Sequence, residues 1–231
     1  MARTVKAHAV RRNEILDAAQ RLIYTKGYEQ MTIQDILDSL QIAKGTFYHY
    51  FDSKQALLEV LIERILAEME QVLTPIVHDP HLPALEKFQH VFATLARWKT
   101  AQKTFLLALL RVWYMDENAI VLRKMRTAAF ERIAPLLTVI IHHGRQEGIL
   151  TTPYPDQAGG VIFALLQSFE ETLVSVLLSD EPDQDKLQRV EGIAAAYTDA
   201  LERVLGAPAA SLQLVDIQTL REWFVSSEDN L

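Results

Sequence analysis

The chain has 231 residues, 49% of them apolar and 23% charged, with a formal net charge of −7. That is the balance of a globular protein, and the scarcity of glycine and proline, eight of each, favours helices over sheets. With no cysteine in the chain, a disulfide framework, a thiolate metal site and a cysteine nucleophile are all excluded.

The charge is uneven. Residues 1–54 hold 8 Lys/Arg against 6 Asp/Glu, whereas residues 55–231 hold 15 against 24, so a polyanion would meet the head rather than the acidic body. The basic start, MARTVKAHAVRR, has no apolar segment behind it and does not read as a secretory signal. No apolar run approaches the roughly 18 to 20 residues that span a bilayer. A cytoplasmic protein with no membrane partner is expected.

Helical periodicity recurs along the whole chain, with no convincing alternation of the strand type. Ile15, Leu16, Ala19, Leu22 and Ile23 mark a first amphipathic helix that ends near Lys26-Gly27, where glycine suits a C-terminal cap. Thr32, with Asp35 three residues on, has the form of a capping box and opens a short second helix carrying Ile33, Ile36, Leu37 and Leu40. A tight connection at Gln41-Ile42 leads to a third short helix over the stretch AKGTFYHYF, residues 43–51, which Asp52-Ser53 breaks. The fourth helix carries an apolar stripe from Leu57 to Val72 and reaches Pro75. Further helices are expected over 84–98, 101–114, 117–143, 156–179 and 185–205, and the tail holds enough apolar residues for one more. The fold class is therefore all-α: an N-terminal three-helix domain over 1–54, with a basic arm at 1–10, and a larger helical domain over 55–231.

The second and third helices have the spacing of a helix-turn-helix, in which the second helix enters the major groove. Phe47 and Phe51 lie four apart and face inward. Lys44, Gly45, Tyr48 and His49 are left outward, with Thr46 able to hydrogen-bond. Glycine lets the backbone come close to a phosphate, and the start of the fourth helix with Lys54 forms a second phosphate site, a role Thr32 can share at the second helix. The competing reading of the spacing is an aromatic-rich helical core with no partner.

The residues Ile15 to Ala19, Gly27-Tyr28, Met31-Thr32-Ile33 with Asp35-Ile36, Lys44 to Phe51, Ser53-Lys54 and Leu57-Leu58 together resemble the DNA-binding domain of the TetR (tetracycline repressor-like) family of bacterial transcriptional regulators. The resemblance covers about a fifth of the chain. It implies that Thr32, Lys44, Gly45, Thr46, Tyr48, His49 and Lys54 contact double-stranded operator DNA, mostly at phosphates. One departure stands out: Ala43 occupies a place where the family usually has a small hydroxyl residue, so the third helix lacks a side-chain cap, typically a cost of about 1 kcal/mol. The arm residues Arg3, Lys6, Arg11 and Arg12 either add phosphate or minor-groove contacts or remain disordered.

The helices near 156–179 and 185–205 are the candidates for a homodimer interface, through Gly160, Leu165, Phe169, Leu173, Val190, Ile193, Ala194, Tyr197 and Leu201. The resemblance implies a four-helix bundle made from two such helices per subunit; the alternative is that these stripes pack only within one chain. It also implies a cavity in the body for a small-molecule effector, with Trp98, Phe105, Leu109, Trp113, Met125, Phe130, Gln167 and Glu170 as its candidate lining. No cofactor and no metal site is expected. His142 and His143 diverge by about 100° on a helix, and His78 and His81 lack a third ligand. No phosphate loop, dinucleotide glycine pattern, zinc-protease histidine pair or nucleophile elbow suggests an enzyme. The function expected is a one-component regulator, a repressor released by its effector; the alternative is a helical partner-binding module that has lost DNA binding.

Overall fold

A computed structural model describes the backbone of residues 2–113 and 119–224, and the side chains of 8–108 and 122–224. Among the described residues the regular elements are ten α-helices: α1 (Ala2–Lys26), α2 (Ile33–Leu40), α3 (Lys44–Tyr50), α4 (Lys54–His78), α5 (Ala84–Ala101), α6 (Lys103–Trp113), α7 (Ala119–Gln146), α8 (Pro155–Leu177), α9 (Asp183–Leu205) and α10 (Ile217–Phe224). They form two compact units.

The first unit comprises Met1–Ala67 and Gln102–Thr127, and so takes in more than the 1–54 head. The basic arm belongs to α1. Its Ala, Arg, Lys and Val residues, uninterrupted by Gly or Pro, let the helix start at Ala2. Gly27, at φ 81°, ends it by donating its N–H to the Ile23 carbonyl at 2.9 Å. Ile15, Leu16, Ala19 and Ile23 of α1 are buried with Ile36, Phe47, Leu57, Leu58 and Leu61. Across the surface of this core Arg64 of α4 donates to Asp17 at 2.6 Å and to Gln20.

The second unit comprises Glu68–Ala101 and Ala128–Leu231. Its core joins Phe88, Val91 and Phe92 of α5 to Leu137, Ile140 and Ile141 of α7, Ile162 and Phe169 of α8, and Val190 and Leu201 of α9. α4 does not stop at Pro75, as its sequence suggested, but runs to His78. The proline stands in the last turn, where its missing N–H costs a single helical bond, and Val77 just beyond it is buried. The tail is helical. Glu202, buried on α9, accepts the N–H groups of Ala210 at 3.0 Å and Leu212 at 2.9 Å, and so turns the chain toward α10. Leu220 and Phe224 then bury, and the Trp223 indole donates to Thr100 of α5 at 2.9 Å.

α8 corrects the expectation that no apolar run approaches the length of a membrane span. By length and composition it is apolar enough to cross a membrane, because it buries Ile162, Phe163, Phe169 and Val176 while leaving Val161 46% exposed on the other side. It lies against α7 at Gly159. A Cβ there would lie 2.6 Å from the Ala134 carbonyl oxygen and 2.9 Å from the Thr138 nitrogen, both backbone atoms. Gly159→Ala is expected to lower stability by about 1–3 kcal/mol in urea unfolding. Gly160→Ala, whose Cβ would meet the Phe130 ring at 3.3 Å, should cost less, because a side chain can yield.

Candidate nucleic-acid interface

The helix-turn-helix is assembled from short-range bonds. Thr32 has an extended backbone, and its hydroxyl accepts the Asp35 N–H at 3.1 Å while Asp35 Oδ2 accepts the Thr32 N–H at 2.7 Å. This is the capping box read from the sequence. Asp35 Oδ2 also receives the Thr32 hydroxyl at 2.7 Å and the Lys26 ammonium at 2.6 Å. The Lys26 and Thr32 hydrogen bonds hold the Asp35 carboxyl well below the usual carboxylate range. α2 ends at Gln41, in the left-handed region at φ 51°, and Ile42 N–H returns to the Leu37 carbonyl at 3.1 Å. The chain leaves this turn through Ala43, whose backbone is extended and whose side chain caps nothing.

The faces of α3 sort as the sequence indicated. Phe47 is 0% and Phe51 2% exposed, their ring centroids 5.8 Å apart. Tyr48 is 44% exposed, and Lys44, Gly45 and His49 are also at the surface, with Thr46 half-buried. The Lys44 ammonium stands 5.8 Å from the Tyr48 ring centroid, so charge and flat apolar surface occupy one patch. A Cβ on Gly45 would meet nothing within 4 Å. The helix thus exposes bare backbone with no packing reason for glycine.

Two of the seven candidate contacts already use their polar side-chain atoms in hydrogen bonds within the chain. The Thr32 hydroxyl serves Asp35 both as acceptor and donor. The Lys54 ammonium lies 4.2 Å from the Tyr28 ring centroid and donates to the Glu29 carbonyl at 3.2 Å. Burial pushes its pKa down, against the upward pull of Glu29 and Asp35. Lys26, Tyr28 and Asp35 are therefore supports of this surface that periodicity did not single out. Of the arm, Arg12 stands over the Phe51 ring at 5.7 Å and Arg11 pairs with Glu14 at 2.6 Å, while the side chains of Arg3 and Lys6 lie outside the described residues.

The pocket candidates are divided between the units. Phe105 is buried and Met125 half-buried in the first; Trp98, Phe130, Gln167 and Glu170 belong to the second. Phe130 is exposed and stands edge-on to Phe163, and Glu170 is ion-paired with Lys99. The side chains of Leu109 and Trp113 lie outside the described residues.

Of the interface candidates, Val190 is 0% and Leu201 1% exposed, and Phe169 and Ala194 are also buried. These residues close α9 onto α8 within one chain, as a stripe that packs internally would. Gly160, Leu165, Leu173, Ile193 and Tyr197 are half-buried. The edge beside them is open, with Val161, Ala164 and Ser168 on α8 and Gly192, Ala195 and Ala196 on α9.

Residues 15–61 match the family described as bacterial regulatory proteins, tetR family. The chain is 28% identical over 182 residues to YvaF of Bacillus subtilis (strain 168), an uncharacterized HTH-type transcriptional regulator, covering 72% of this chain and 95% of YvaF. It is 26% identical over 189 residues to the HTH-type transcriptional repressor NemR of Escherichia coli (strain K12), covering 80% of this chain and 94% of NemR. Among solved structures, the SmeT–triclosan complex shares the fold with a TM-score of 0.64 at 16% identity, over 90% of this chain and 98% of that one. SmeT is the repressor of the Stenotrophomonas maltophilia multidrug efflux pump SmeDEF. The head thus matches the tetR family of bacterial regulatory proteins, and the HTH-type transcriptional regulators similar to this chain span head and body alike.

Proposed function

We propose that the protein is a cytoplasmic, non-enzymatic transcriptional repressor that binds a palindromic operator as a homodimer and is released by a small-molecule effector held in its body. The observation that carries the reading is the surface of α3, where Lys44, Gly45, Tyr48 and His49 are exposed while Phe47 and Phe51 are buried. In a dimer two such helices would enter successive major grooves about 34 Å apart. The open edge of α8 and α9, small and apolar at Val161, Ala164, Gly192, Ala195 and Ala196, supports pairing with a second copy. The half-buried Gly160, Leu165, Leu173, Ile193 and Tyr197 would flank that contact. Light scattering that gave a monomer at micromolar concentration would remove the dimer from this account.

Within the second unit the candidate effector lining is Trp98, Phe130, Gln167 and Glu170. A ligand using Glu170 must first displace Lys99 from it. Release follows if the effector binds the DNA-incompetent state more tightly than the competent one. The triclosan complex of SmeT, a protein of the same fold, supports looking for an apolar effector here.

Lys54 gives a quantitative check at the DNA end. Lys54→Ala is expected to reduce the salt dependence of operator binding by about one phosphate's worth, read from affinities at several salt concentrations. An unchanged slope would leave Lys54 as a support that only holds Tyr28 and Glu29.

A further inference from the structure

α3 has little of its own to keep it helical. It is seven residues long, Ala43 gives it no side-chain cap, and Gly45 sits in its first turn. Helices this short take their order from packing rather than from propensity. On the inner side Phe47 and Phe51 supply that packing. On the outer side a ring arrives from outside the helix-turn-helix, carried by His8 of α1. Its imidazole centroid lies 4.5 Å from the Tyr50 ring, tilted at 52°, and 5.4 Å from the His49 ring, edge-on at 74°. His49 and Tyr50 are themselves edge-on, 5.0 Å apart. Three rings therefore close over the last turn of α3. His8 and His49 are both exposed, so no need of the core explains why they meet.

We infer that His8 is a positioning residue for DNA binding: its ring braces Tyr50 and His49 and fixes the direction in which the last turn of α3 offers His49. Edge-to-face and tilted ring pairs are favourable beyond the area they bury, and they are directional, so they restrict side-chain rotamers as well as add contact. Without His8 the His49 ring is held by Tyr50 alone, and the rotamer freedom it regains in the free protein must be lost on binding. The consequence at DNA rests on α3 being the recognition helix; the brace itself is a property of the free protein.

Each part has its own measurement, made on the full-length chain. In free protein, His8→Ala is expected to speed amide hydrogen exchange at residues 49–51 by about three- to tenfold, the range of one or two ring contacts, while His8→Phe stays close to wild type. Unchanged exchange in His8→Ala would overturn the brace. On operator DNA, His8→Ala should lower affinity by about three- to tenfold with the salt slope unaltered, and His8→Phe should restore it. A slope reduced by one phosphate's worth, with no rescue by phenylalanine, would make His8 a charged phosphate contact and overturn the positioning role. If the wild-type protein binds no operator, the reading of α3 as a recognition helix fails, and the exchange measurement still decides the brace.

Discussion

Gly45→Ala should strengthen the fold of the head and weaken its hold on DNA at the same time. Within a helix alanine is favoured over glycine by about 1 kcal/mol, and the added methyl meets nothing within 4 Å in the free protein. The thermal midpoint is therefore expected to stay or rise. On DNA the same methyl occupies the space through which a phosphate approaches the start of α3. Losing one hydrogen bond to a charged group costs about 1.5–3 kcal/mol, so affinity should fall roughly ten- to a hundredfold. Calorimetry and fluorescence anisotropy on one preparation separate the two effects. Unchanged operator affinity would mean that no phosphate comes near Gly45, and a fall in both quantities would mean that the glycine serves the fold.

Phe47→Ala is expected to act through the fold instead. The ring is 0% exposed and packs beside Phe51 beneath α3, so truncation leaves a cavity that costs about 3–5 kcal/mol. Against a typical total of about 5–15 kcal/mol, that loss should unfold the helix-turn-helix or shift its urea midpoint markedly. DNA binding would then disappear with the structure, not through a lost contact. Tyr48→Ala is the control, one residue along on the outward side and 44% exposed. It should cost only about 0.5–1.5 kcal/mol, for its edge-on contact with Phe47, and leave the head folded while operator binding weakens. If Phe47→Ala were tolerated, the inward and outward faces of α3 would have to be reassigned.

That assignment was legible in the sequence because it depends on local spacing. The capping box of Thr32 and Asp35, the glycine stop at Gly27, the missing cap at Ala43 and the burial of Phe47 and Phe51 all lie within a turn or two of the residues that determine them. The contacts that were not legible join distant parts of the chain. Lys26 reaches Asp35, Lys54 reaches Tyr28, and His8 reaches Tyr50, and no periodicity marks such pairs. The stripes on α8 and α9 show a different limit. Helical period identifies the apolar face but not its occupant, and Val190 and Leu201 face their own chain, while Val161 and Ala195 are left open. The same two-sidedness hid the continuous apolar length of α8.

The most direct test of the account is a hydroxyl-radical footprint of the full-length protein on the DNA upstream of its own coding region, with stoichiometry measured on the same fragment. The account predicts two protected patches about one helical turn apart, related by a two-fold axis, with two chains bound and protection weakened by Gly45→Ala. Protection without sequence preference, or one patch holding a single chain, would contradict it.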